Sequence, residues 1–156
     1  FDMKILYTDI VRNYKMEKEL GAIYVDKENL LKEADFVSLH VPLLSSTIHY
    51  IGEKEFSIMK NTSVIVNTCS GPVIDEKALV KALKDGEIWG AGLDVFEYEP
   101  NIEPELLDMY NVSIVPRISS ATMETRTKMG IVAAENIIKV LNGENPDDCV
   151  NMEVLK

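Results

Sequence analysis

The chain is short of cysteine, of basic charge and of long apolar runs, and each shortage removes a class of protein. Cys69 and Cys149 are its two cysteines. They cannot build a disulfide framework, and they do not show metal-ligand spacing. They read as reduced thiols of a cytoplasmic protein, and no metal site is expected. Sixteen Lys and Arg stand against 26 Asp and Glu, a formal charge of −10. No basic stripe is present, which argues against nucleic acid and against an anionic membrane surface as partners. The longest largely apolar stretch, Val37–Leu44, falls far short of the roughly 20 residues that a membrane span needs. No signal-peptide pattern opens the chain. It begins with Phe1 rather than Met, as expected of a processed chain or a fragment. What is present is an ordinary globular mix, 46% hydrophobic and 27% charged over 156 residues. That length suits one domain, and a domain of about 150 residues hides about 70% of its unfolded surface.

Strand-like and helix-like segments alternate along the sequence. Lys4–Thr8, Ala22–Val25, Phe36–His40, Ser63–Asn67, Ile88–Leu93 and Val112–Val115 are short and strand-like, and the β-branched Ser63–Asn67 reads as a buried strand. Between them lie helical segments. Lys15–Leu20 is stopped by Gly21, and Lys27–Ala34 is capped by Asp26. Glu53–Met59 follows a loop marked by Pro42 and Ser45–Thr47. Asp75–Asp85 has an acidic cap, a Leu79/Ala82/Leu83 face and Gly86 as terminator. Asn101–Glu105 reads as loop. Thr122–Leu141 is the longest helix, with Met129, Val132, Ala133, Asn136, Ile137 and Val140 near a 3.6-residue period, Gly143 at its end and a polar tail beyond. The alternation predicts an α/β fold, a mainly parallel sheet with helices on both faces. In such open sheets ligands sit beyond the carboxyl ends of the strands. Asp9, His40, Thr68, Asp94 and Arg117 fall at those ends and form a candidate site.

Each candidate has a plain structural alternative. Asp9, ending a strand, suits the two hydroxyls of a ribose; it serves equally as a cap for the next turn. Asn67–Asp75 connects a strand to a helix through Gly71, either a ligand-facing backbone or only a tight loop. In Gly90–Pro100 small residues let backbone approach a ligand, Asp94 projects from the strand end, and Pro100 biases Glu99 to an extended conformation. The alternative there is a strand followed by a solvated acidic loop. His40 and His49 have no Ser, Cys or Asp at a telling spacing and read as structural. Cys69 has no evident partner base.

The order and spacing of these motifs resemble the D-isomer-specific 2-hydroxyacid dehydrogenases, which include glyoxylate/hydroxypyruvate reductases and D-3-phosphoglycerate dehydrogenase. The resemblance runs from Lys4 to about Asn151. It rests on Ala34–Leu43, Thr47, Met59-Lys60, Val66-Asn67-Thr68, Gly71–Glu76 with Ala78-Leu79, Gly90–Phe96 with Glu99-Pro100, and Ser120-Ala121-Thr122. The resemblance implies a Rossmann-like cofactor domain over residues 1–121. Residues 122–156 would be a helix and tail returning toward a substrate domain. It also implies incompleteness, because the family's G-x-G-x-x-G turn, about 20 residues before the ribose acid, would fall before residue 1. The first strand would then be absent from between Lys4–Thr8 and Phe36–His40, leaving two open strand edges and a tendency to associate, including as a homo-oligomer.

By the same resemblance, Asp9 would hold the adenine ribose and favour NAD over NADP. Val41, Pro42 and Thr47 would line the adenine side. Thr68, Cys69, Ser70 and Asp94 would face the nicotinamide, with Arg117, Ser119 and Ser120 nearby. The substrate would be a small 2-oxo or 2-hydroxy acid. Of the catalytic set Glu99 is kept, but Ser70 stands where relatives carry a substrate-binding Arg, and Arg117 where they carry an acid/base His. An Arg117–Glu99 ion pair would serve substrate binding, not proton transfer. The implied reading is an NAD-dependent oxidoreductase by descent, inactive as given and binding NAD weakly. A non-catalytic nucleotide-binding or interaction module, or a truncated fragment without independent function, are the alternatives.

Overall fold

The computed structural model describes residues 2–155. The chain divides into two compact units, Phe1–Pro116 and Arg117–Lys156. In the first unit local chemistry sets the element ends. Helix α1 (Tyr14–Leu20) starts where the Asn13 side chain accepts from the Met16 N–H, and ends at Gly21 in the left-handed conformation, φ 66°. Helix α2 (Lys27–Glu33) is capped by Asp26, which accepts from the Asn29 N–H. Helix α4 (Glu76–Asp85) is capped by Asp75, which accepts from the Ala78 N–H, and closes on Gly86 at φ 71°. A side-chain acceptor satisfies an N–H that the helix cannot pair, and glycine takes positive φ without a Cβ clash. Between α2 and α4 lies α3 (Glu53–Ile58). One reading needs correction. The tail of the expected loop 101–105 starts a short helix, α5 (Pro104–Leu107), with proline at its first position, where the missing N–H costs nothing.

Among the described residues six strands form two parallel sheets. Strands β1 (Leu6–Tyr7) and β2 (Ile23–Tyr24) pair with each other. Strands β3 (Phe36–Leu39), β4 (Val64–Asn67), β5 (Gly90–Leu93) and β6 (Val112–Ile114) make the second sheet in that order. The strands are one or two residues shorter at their ends than their apolar runs. Register aligns Leu39 with Asn67 and Asn67 with Leu93, so the strands of this sheet stop at one level. Among the described residues β1 pairs only with β2, and β3 only with β4.

Burial alternates along β3 and β4. Val37, Leu39, Ile65 and Asn67 are buried, whereas Phe36 is 61% exposed and Val64 and Val66 are half-buried. The buried row meets Phe56 of α3, Leu79 and Leu83 of α4, Leu31 of α2 and Leu106 of α5 in one core. The sheet is therefore anchored by the face that packs on these helices, and its carboxyl edge is free to carry polar groups.

The second unit contains helix α6 (Met123–Leu141). Thr122 caps it by accepting from the Thr125 N–H, and none of its residues is buried. Asn136 holds the following tail, donating to Asp148 Oδ2 at 2.7 Å and accepting from the Asp148 N–H at 3.2 Å. Gly143 takes φ 77° just past the helix end.

Candidate functional site

The carboxyl end of β4 is organised by Asn67, the last residue of the buried row and only 1% exposed. Its Oδ1 accepts from the Cys69 N–H at 3.1 Å and lies 3.1 Å from Cys69 Sγ. Its amide donates to the Ser70 carbonyl at 2.9 Å. One buried side chain thus shapes Thr68, Cys69 and Ser70, all half-buried. Asn side chains make such turns with backbone two residues on. Next along the chain, Gly71 lies against the neighbouring loop so tightly that a Cβ there would sit 1.8 Å from the Phe96 carbonyl oxygen.

The end of β5 supplies Asp94, buried, whose N–H donates to the Asn67 carbonyl at 3.0 Å. The loop beyond it carries Glu99, exposed, with Oε1 accepting from the Phe96 N–H at 3.1 Å. Asp94 therefore stands beside the Asn67 loop, at the level where β4 and β5 end, and Glu99 is folded back onto Phe96, whose carbonyl packs against Gly71. Of the five residues expected at strand ends, Thr68 and Asp94 meet in this region, with Cys69, Ser70 and Glu99 on the loops that continue from them.

Asp9 lies two residues past β1, exposed, with Oδ1 accepting from the Ile10 N–H at 2.6 Å. After β3, Val41 is half-buried and Pro42 exposed. The Thr47 hydroxyl is engaged inside its own loop, 2.7 Å from the Pro42 carbonyl and accepting from the Leu44 N–H at 2.8 Å. His40 is exposed, with Nε2 2.8 Å from Ser38 Oγ. Arg117, Ser119 and Ser120 are exposed residues opening the second unit, Arg117 with φ 51°.

Sequence reasoning missed a second layer under this region. Glu76, 3% exposed at the first turn of α4, accepts from the Glu97 N–H at 2.5 Å and from the Glu103 N–H at 3.3 Å. Glu97 returns the contact, accepting from the Glu76 N–H at 3.1 Å. His49 Nε2 lies 2.7 Å from Glu97 Oε1. Burial raises the Glu76 carboxyl above the ordinary carboxylate range, against the two N–H donors that favour its charged form. Burial also opposes the charge on Glu97, but hydrogen bonds from His49, the Glu76 N–H and Tyr98 win and hold its carboxyl low. The partners are 21 to 48 residues apart, so no local spacing announces them. Among the described residues no group of three or more His, Cys, Asp or Glu is placed to hold a metal ion. No described helix is long and apolar enough to cross a membrane.

Comparison with known proteins agrees with this geometry. Residues 1–119 match the model of the D-isomer specific 2-hydroxyacid dehydrogenase NAD binding domain. The chain is 54% identical over 158 aligned residues to a glyoxylate reductase of Korarchaeum cryptofilum, covering 100% of this chain and 47% of that protein. Among solved structures it resembles the apo D-mandelate dehydrogenase of Rhodotorula graminis, with a TM-score of 0.86 and 40% identity over 93% of this chain and 43% of the other. It also resembles the NAD-complexed D-isomer specific 2-hydroxyacid dehydrogenase of Lactobacillus delbrueckii ssp. bulgaricus, with a TM-score of 0.84 and 34% identity over 95% and 48%. The chain spans about half the length of these relatives. With a parallel α/β sheet whose polar residues gather at the strand ends, the chain belongs to the D-isomer-specific 2-hydroxyacid dehydrogenase family and corresponds to its NAD-binding domain.

Proposed function

We propose that this chain is the cofactor-holding part of a dehydrogenase of small 2-hydroxy and 2-oxo acids, that it prefers NAD to NADP, and that it does not turn over by itself. The observation supporting the reading is the gathering of Thr68–Ser70, Asp94 and Glu99 at the carboxyl end of one parallel sheet, the usual place for a ligand in such folds.

The residues present fit the two ends of a dinucleotide better than its middle. At one end Asp9 is exposed beyond a strand, where its carboxylate suits ribose hydroxyls and repels a 2′-phosphate. At the other, the Asn67-shaped loop and Asp94 offer polar groups to a carboxamide. For the pyrophosphate, glycine-rich backbone at a helix N-terminus is the usual seat. No G-x-G-x-x-G occurs in these 156 residues. Binding of NAD by this chain alone is therefore weak, with Kd above about 1 mM, or less than about 4 kcal/mol of binding free energy. Micromolar binding in a calorimeter would refute this.

When bound, a nicotinamide cofactor supplies a hydride to the carbonyl carbon of a 2-oxo acid. The chain's own residues must then hold the carboxylate and deliver a proton to the developing alkoxide. Arg117 holds its proton at every accessible pH. Without a general acid the rate falls by about 10²–10⁴. Ser70 lacks the bidentate fork with which an arginine clamps a carboxylate. Glu99 keeps a carboxylate with an ordered backbone donor, Phe96 N–H, but has no histidine at position 117 to orient.

The test follows NADH consumption with glyoxylate, hydroxypyruvate or pyruvate, glyoxylate first because the Korarchaeum cryptofilum relative is a glyoxylate reductase. The unaltered chain should match the no-enzyme control. Ser70→Arg with Arg117→His should restore turnover only in a chain joined to the N-terminal half of a relative. Turnover by the unaltered chain well above control would overturn the proposal.

A further inference from the structure

His49 is unusual twice over. Its backbone is left-handed, φ 50°, a conformation uncommon outside glycine, although His adopts it more readily than most residues. Such conformations persist when surrounding structure over-determines them, and they mark positions worth a functional explanation. Its side chain is 43% exposed, yet it reaches Glu97, whose side chain is only 7% exposed. An exposed imidazole adds little apolar burial, so core packing does not account for the strained placement.

The surroundings show what fixes it. The His49 N–H donates to the Pro72 carbonyl at 2.8 Å, the Ile51 N–H to Val73 at 3.1 Å, and the Asp75 N–H to the Ile51 carbonyl at 3.0 Å. The segment after β3 is thereby zipped along the segment that leads into α4. From that seam His49 Nε2 reaches Glu97 Oε1 at 2.7 Å, while Nδ1 lies 3.8 Å from Asp75 Oδ2. Glu97 in turn exchanges two hydrogen bonds with Glu76, each carboxylate accepting the other's backbone N–H. The adjacent N–H, that of Phe96, holds the Glu99 carboxylate. Two successive amides of one loop are thus fixed by carboxylates. The chain of contacts starts at His49, passes through Glu97 and Glu76, and ends one residue from the donor that holds Glu99.

We propose that His49 is a positioning residue: tethered to Glu97, it sets the conformation of the loop 95–100 and, through the Phe96 N–H, the placement of the Glu99 carboxylate. This rests on the reading that Glu99 faces the reacting acid, but the tether can be measured without turnover. The Glu97 carboxylate already accepts from the Glu76 N–H through one oxygen; His49 Nε2 engages the other, and a hydrogen bond to a charged, largely buried carboxylate is among the stronger ones.

The test uses the chain as it stands, with backbone amide hydrogen exchange and carboxyl titration followed by NMR. His49→Asn keeps a residue at ease in the left-handed region but is too short to reach Glu97. His49→Gln places an amide N–H near the position of Nε2. In His49→Asn the Phe96, Glu97 and Glu103 amides should exchange at least tenfold faster, and the Glu97 carboxyl should titrate higher. Ile65 and Leu79 in the core should be unchanged. His49→Gln should recover most of the protection. Unchanged exchange at Phe96 and Glu97 in His49→Asn would overturn the proposal, as would a loss of protection spread evenly through the core. If the loop loosens but turnover in the joined, Ser70→Arg and Arg117→His chain is unaffected by His49→Asn, the tether stands and the assignment of Glu99 to the reaction fails instead.

Discussion

The two parallel sheets of the first unit are held in opposite ways. The four-stranded sheet packs one row of side chains into a core containing Phe56, Leu79, Leu83 and Leu31, with Phe56, Leu31 and Leu79 almost completely buried. The two-stranded sheet has two residues per strand, and between residues 2 and 26 only Ala22 is buried. Polar and aromatic contacts at the surface take over there. The Tyr7 and Tyr24 rings meet edge to face at 5.4 Å, Tyr7 Oη donates to Glu17 at 2.7 Å, and Arg12 makes two bonds to the same carboxylate at 2.7 and 2.9 Å. A short parallel pair with little apolar burial is marginal by itself. The consequence for the candidate site is an asymmetry. Thr68–Ser70, Asp94 and Glu99 stand on the well-packed frame, whereas Asp9 stands on the lightly held one.

The strongest way to break this contrast is in the core. Phe56 is fully buried beneath the four-stranded sheet. Phe56→Ala should cost about 3–5 kcal/mol of stability, the usual loss for emptying a large aromatic site. Urea unfolding followed by circular dichroism and by Trp89 fluorescence should show the midpoint falling accordingly. A loss under about 1 kcal/mol would mean that the frame is not carried by this core.

Much of that frame is legible in the sequence, because its determinants are local. Asp26 and Asp75 as caps, Gly21 and Gly86 as terminators and the β-branched run ending at Asn67 each act within a few residues of themselves. The start of α5 was missed because Glu105 and Asn101 read as loop while Pro104 suits a first helical turn. The apolar period of α6 reads as a face to be buried, but none of its residues is buried; periodicity reports a face and not what covers it. At the site, Thr68 and Asp94 were legible as strand-end residues, and Glu99 as the residue held extended before Pro100. The role of Asn67 was half-visible, since an Asn ending a strand before a turn is a recurring local device. His49, Glu76 and Glu97 were not visible. Their contacts are made only when three separate segments meet, and His49 has no partner within reach along the chain.

The smallest expected effect sharpens the contrast from the other side. Hydrogen bonds from Arg12 and then Tyr7 hold the Glu17 carboxyl down to about 2, from an ordinary 4.5. A carboxyl depressed on folding contributes stability that is present above its ordinary value and is lost as pH falls toward the depressed one. The β1–β2 pair should therefore keep its structure as pH is lowered to about 4.5 and loosen between there and about 2. Glu17→Gln removes the titrating charge and so removes this pH dependence. The reporters are the Ile23 and Val25 amides, which donate to the Ile5 and Tyr7 carbonyls at 2.9 and 3.0 Å. In Glu17→Gln their protection from exchange should be lower at neutral pH and flat through the acid window, while the urea midpoint read at Trp89 hardly moves. Because the pair is surface-exposed, its effect on global stability should be far below that of Phe56→Ala. If Glu17→Gln shifts the global midpoint as far as Phe56→Ala, or leaves Ile23 and Val25 as protected as before, then the two-stranded sheet is not held by its surface contacts. Asp9 would then rest on something other than the Arg12, Glu17 and Tyr7 cluster.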